Sequence, residues 1–161
     1  MKLRTSSLVS CLISSKTYAG SMSAESREPQ RHTGFLLRRT QQRHLAVWQA
    51  LIPGETTSLQ YGVLAVLERR PGIAQKEIAQ ELDIDKSTTA DVCTRLEKFG
   101  LVTRIQDAED RRHKVLDLTD AGRAELARLR PLIDKFQDEL TSGLTDSEHA
   151  ELRRLLSKLL G

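Results

Sequence analysis

The side chains best equipped for chemistry in this chain are cations and short hydroxyls, and they gather in two adjacent groups. Lys86, Ser87, Thr88, Thr89, Thr94, Arg95 and Lys98 fall within residues 86–98, and Asp110, Arg111, Arg112 and Lys114 follow within residues 110–114. Guanidinium and ammonium groups neutralise phosphates, and hydroxyls near a helix start reach phosphate oxygens or base edges. The chemistry on offer is non-covalent recognition of a polyanion. Nothing comparable supports covalent catalysis: the chain has no Gly-rich phosphate loop, HExxH pair, nucleophile elbow or spaced carboxylate dyad, and His113 beside Asp110 is a neighbour at a hairpin tip. An enzyme is not expected, nor a cofactor or a metal.

These groups need elements to hold them. Asp85 is placed to cap a helix through residues 86–98, its carboxylate accepting a backbone N–H near Thr88. Either Thr88 or Thr89, then Val92, Leu96 and Phe99, recur at three-to-four spacing as the inward face. Lys86, Ser87, Ala90, Asp91, Thr94, Arg95 and Lys98 take the outward arc. Before it, Ile73 to Leu82 reads as one short amphipathic helix with Asp83-Ile84 as the turn, so the pair makes a helix-turn-helix. Gly100 is the left-handed stop, and Leu101–Ile105 and Val115–Leu118 alternate as two half-buried strands. The hairpin between them carries the basic tip, a wing.

A groove-reading helix beside a basic wing suits duplex DNA. The net charge of +3 permits that partner without selecting it, and scattered aromatics at 4% of the chain give no stacking platform for single strands. With 39% hydrophobic and 29% charged residues, the 161-residue chain has an ordinary globular composition. Cys11 and Cys93 lie far apart without metal-site spacing, which fits the reducing cytoplasm, and no run of 18 apolar residues offers a membrane span. Residues 1–30 read as a flexible leader: Leu8-Val9-Ser10-Cys11 has the form of a lipoprotein cleavage box, but the apolar stretch is short, and Met22 is an alternative start.

Three further helices complete the pattern. One runs from about Arg31 to Leu51 and ends at Pro53-Gly54. Another opens at the Thr57-x-x-Gln60 capping box and runs to about Arg69. Thr119 opens a long helix striped by Leu126, Leu129, Ile133, Phe136 and Leu140, and Thr145-x-x-Glu148 starts a last helix rich in leucine. The expected class is mostly α with a small β-wing, a winged helix-turn-helix domain over residues 56–118 and a helical dimerisation region from residues 31–55 and 119–161.

This order resembles the MarR family of dimeric winged-helix transcription regulators, over about residues 31–161. The local matches are Ser58–Leu64, the stretch Asp83–Val102, and Asp107–Arg112 running on to Leu118-Thr119. The resemblance implies that Arg112 enters the minor groove with Asp110 holding it by an ion pair, as suits a permanently charged planar group. It also implies a homodimer through interleaved terminal helices, presenting two reading helices to a pseudo-palindrome. Asp91 departs from the basic residue many relatives carry. It is placed either to accept from a cytosine amino group or to pair with Arg95 one turn on, the pair being preferred. Ala74 replaces a usual capping Ser or Thr, with Gln75 and Lys76 as phosphate contacts beside it.

Family members commonly respond to small aromatic acids, and Arg39, Arg43, His44, Trp48 and Tyr61 are the residues here suited to an anionic aromatic effector. The alternative leaves the two aromatics in the core and the arginines in solvent. An oxidant sensor of the same fold is disfavoured, since Cys93 falls inside the reading helix and the first helix has no cysteine. A protein-interaction module on the same fold would not need Arg111, Arg112 and Lys114 together. The functional expectation is a ligand-responsive repressor of a catabolic or efflux operon.

Overall fold

The computed structural model describes residues 28–106 and 114–161. The leader expected over residues 1–30 lies outside these but for its last three residues. So do Asp110, Arg111 and Arg112, and likewise the side chain of Lys114. The chain forms two compact units that divide between Thr40 and Gln41. In the first, a 3-10 turn at Pro29–Arg31 precedes the start of α1 (Thr33–Leu51), where the Arg38 guanidinium lies 5.3 Å from the Phe35 ring centroid.

The second unit continues α1 and adds α2 (Ser58–Arg69), β1 (Ile73–Ala74), α3 (Gln75–Glu81), α4 (Lys86–Lys98), β2 (Val102–Gln106), β3 (Lys114–Leu118), α5 (Asp120–Thr141) and α6 (Asp146–Leu160). Helix starts follow the capping chemistry. The Thr57 hydroxyl accepts the Gln60 N–H at 3.2 Å while the Gln60 side chain accepts the Thr57 N–H at 2.8 Å. The Thr119 hydroxyl accepts the Gly122 N–H, and Thr145 and Glu148 close a second reciprocal box.

One expected element is different. Ile73 and Ala74 do not begin a helix; they pair antiparallel with Leu116 and Val115, making a sheet of order β1-β3-β2. Pairing satisfies backbone groups that a helix start would leave orphaned. Ala74, the N-cap of α3, has no side-chain acceptor, and the Glu77 carboxylate compensates from the other side by accepting the Ala74 N–H at 3.0 Å.

Two apolar cores result. The larger joins Val63, Leu64 and Leu67 of α2 with Ile78, Cys93, Leu96, Val102, Leu116, Leu118 and Leu126. The smaller joins Val47, Trp48 and Ile52 to Leu129 and Phe136 of α5, and Tyr61 packs against both. A tight joint fixes α5 to the end of α4. Gly100 turns with φ 69°, the Thr119 hydroxyl donates to its carbonyl at 2.6 Å, and the Thr119 N–H donates to the Leu101 carbonyl at 3.1 Å. Gly122 allows this approach, since a Cβ there would lie 2.1 Å from the Leu101 carbonyl oxygen. By contrast, α6 buries none of its residues in this chain.

Candidate nucleic-acid interface

Helix α4 presents the first group of cations and hydroxyls on a pre-ordered start. Asp85 accepts the Thr88 N–H at 2.9 Å, the Ser87 hydroxyl and, at 2.6 Å, the Thr88 hydroxyl. The hydroxyls of Ser87 and Thr88, with the Thr88 N–H, hold the Asp85 carboxyl well below the usual carboxylate range. The charge stays ionised at the positive end of the helix, where it is favoured.

Outward from this start, Lys86, Ser87, Asp91, Thr94, Arg95 and Lys98 are exposed and Thr88 is half-buried. Thr89, expected to meet DNA, is instead fully buried, and its hydroxyl donates to the Asp85 carbonyl at 2.8 Å. The inward stripe is Thr89, Val92, Cys93 and Leu96. Phe99, expected inside, is 51% exposed, because it is the C-cap residue and the chain turns at Gly100 before another helical position can carry it inward. Among the described residues no ion pair joins Asp91 to Arg95, and both side chains are exposed on the outer arc.

At the start of α3, Lys76 is exposed and Gln75 half-buried. The neighbour that matters was not singled out by sequence. Arg104, on β2, donates Nε to the Glu97 carboxylate at 3.0 Å and Nη1 to the Gln75 side-chain oxygen at 3.3 Å. One guanidinium thereby ties three elements, across separations of seven and 29 residues. Beneath it Cys93 is fully buried, and burial pushes its thiol up against the opposing pull of Arg104. Such a thiol is a poor nucleophile.

Of the residues expected to hold an effector, Trp48 alone lines a cavity of about 330 Å³ between the end of α1 and the start of α2, with Leu45, Ile52, Glu55, Thr56 and neighbours. Trp48 is in its wall and in the smaller core at once. Its ring meets Phe136 edge-on at 5.3 Å, and its indole N–H donates to the Thr56 carbonyl at 3.0 Å. The Thr56 hydroxyl continues to Glu125, whose carboxyl the Arg128 guanidinium, at 2.8 Å to each oxygen, holds below its ordinary range. Tyr61, 6.2 Å from Trp48, faces the cores, and His44 lies edge-on to Phe136 at 5.1 Å, where burial lowers its proton affinity. Arg43 is spent elsewhere: Nη2 and Nε donate to the carbonyls of Glu139 and Leu140 at 2.8 and 3.4 Å, closing the end of α5. Arg39 is exposed in the first unit.

Among the described residues no cluster of His, Cys, Asp and Glu is arranged to hold a metal, and no helix is long and apolar enough to cross a membrane. Residues 56–114 match the model of the MarR family. The chain is 33% identical over 124 residues to the transcriptional regulator HosA of Escherichia coli, an alignment covering 77% of this chain and 91% of HosA. Its fold resembles that of Bordetella bronchiseptica BpsR, whose DNA binding is regulated by 6-hydroxynicotinic acid. TM-score is 0.78 and identity 30%, covering 81% of this chain and 94% of BpsR. It also resembles the transcriptional repressor CouR bound to a 23-mer DNA duplex, with TM-score 0.74 and identity 33%, covering 81% and 93%. The capped reading helix, the three-stranded sheet and these likenesses together place the chain in the MarR family of winged-helix transcriptional regulators.

Proposed function

We propose that this protein is a repressor that binds pseudo-palindromic duplex operators as a homodimer and releases them when a small anionic aromatic compound binds. The observation that carries the reading is α4, whose start is ordered by Asp85 and whose exposed arc offers Lys86, Ser87, Thr94, Arg95 and Lys98. Residues 56–118 serve as the reading domain, and residues 31–55 and 119–161 join the subunits. The bare leucines of α6 support that second role, since an apolar stripe of this size wants a matching surface. Half-sites then lie about one helical turn apart, and Arg111, Arg112 and Lys114 add wing contacts, with Asp110 positioning Arg112.

The effector reading draws on the acid that regulates BpsR and on the Trp48-lined cavity. Glu55 in that wall disfavours a carboxylate beside it, while the Trp48 indole offers an aromatic ring a face to pack on. Gel shifts on the protein's own upstream region, with wild type and Arg112→Ala, test the DNA reading. A shift that is lost in the variant and released by an aromatic acid supports the whole. No shift in dilute buffer overturns the DNA reading, and a shift indifferent to every acid in a calorimetric panel overturns the effector.

A further inference from the structure

We infer that Arg104 is a positioning residue that sets the Gln75 carboxamide, before DNA arrives, as a one-way donor to the phosphate backbone. The inference rests on the DNA-binding reading above. A carboxamide has an accepting end and a donating end, and the two are interchangeable by a flip. A guanidinium only donates. With Arg104 Nη1 at 3.3 Å from the Gln75 oxygen, the flipped amide would set N–H against N–H, so the oxygen is fixed inward and the NH2 group is the end left over. No other hydrogen bond engages that NH2 among the described residues.

This direction selects the ligand atom. Phosphate oxygens only accept, which suits a committed NH2 donor. A glutamine that reads adenine needs both ends at once, and Gln75 has already given its oxygen away. Gln75 is therefore a register-setting contact to the backbone and carries no base preference. Arg104 is itself held, because its Nε donates to Glu97 at 3.0 Å from the reading helix and its backbone pairs within the sheet opposite Leu116. The same pair neutralises a carboxylate that would otherwise repel phosphate beside Lys98. Lysine cannot replace this geometry: an ammonium retains the charge but lacks the planar fork that spans two acceptors on different helices.

The test is fluorescence anisotropy on two labelled duplexes of equal length, the protein's own upstream region and an unrelated sequence, at low salt. Gln75→Met and Gln75→Glu are expected to weaken binding about tenfold or more, equally on both duplexes, the second although its bond to Arg104 is retained. Arg104→Lys is expected to cost about three- to tenfold in the wild-type background and less than about twofold once Gln75 is Met. Thermal midpoints are measured on each variant so that a folding defect is separated from a contact. Undiminished binding by Gln75→Glu, a loss confined to one duplex, or an Arg104→Lys loss that persists in the Gln75→Met background each overturns the inference. Wild-type protein that ignores both duplexes overturns the DNA-binding reading, and this inference with it.

Discussion

Between Ser58 and Leu118 the leucines and valines meet one another inside the subunit, whereas in α6 Leu155, Leu159 and Leu160 are 49%, 61% and 82% exposed. Local chemistry is equally good in both regions. The capping box at Thr145 and Glu148 is as complete as that at Thr57 and Gln60. What differs is tertiary packing, which supplies most of the stability of a protein helix. A region can thus be fully specified as a helix and still leave its apolar stripe bare. The winged lobe satisfies itself, and in the dimer proposed above α6 would meet a second surface. Helix α5 stands between them, burying Leu126, Leu129 and Phe136 while the joint at Thr119 and Gly122 grips the end of α4.

The comparison breaks most severely at that joint. A methyl group at Gly122 would fall 2.1 Å from a backbone oxygen that cannot swing away. Gly122→Ala is expected to cost about 3 kcal/mol, lowering the thermal midpoint by roughly 10 °C by calorimetry. An unchanged midpoint would mean that the α4–α5 contact is looser than described. In α6 the same scale of perturbation is expected to leave the fold alone. Leu155→Glu with Leu159→Glu should weaken self-association by about 100-fold or more by sedimentation, with little change in subunit helicity. A variant that stays dimeric would remove α6 from the interface.

A smaller effect sharpens the contrast within the winged lobe. Hydrogen bonds lower the Asp85 pKa in the folded state, so its contribution is present above the ordinary value of 3.8 and is lost as pH falls below it. Asp85→Ala should lower the midpoint at neutral pH and flatten the acid side of the stability curve. An identical acid limb in both proteins would show that the cap carries no linkage. Smallest of all is the effect at Cys93. With Cys11 replaced by Ser, thiol reagents should modify the native protein only as fast as it opens, and peroxide should leave DNA binding unchanged. Rapid labelling would contradict its burial.

Contacts between near neighbours were legible in the sequence. Asp85, Thr57, Thr119 and Thr145 act on groups three residues away, so type and spacing identify them. The strands flanking the wing were legible by alternation, yet β1 was not, because two residues are too short to alternate and were absorbed into the following helix. Spacing left Thr88 and Thr89 as alternatives for the inward face and put Phe99 there too, because a three-to-four repeat fits more than one stripe until neighbours choose between them; Thr89 is the buried one and Phe99 is exposed. The Arg104 fork and the Gly122 approach depend on partners that folding brings together from up to 29 residues away. No local signal marked either one. The Asp110-Arg111-Arg112 cluster was conspicuous in the sequence and falls outside the described residues.

Trp48 is the chain's sole tryptophan, and it stands in the cavity wall with its indole N–H bound to the Thr56 carbonyl. The molecule therefore comes with a native optical probe at one defined spot. A compound entering beside the indole, or a shift of the loop over residues 53–57, would alter emission wavelength or quenching from a single fluorophore, with no label and no second tryptophan to confuse the signal.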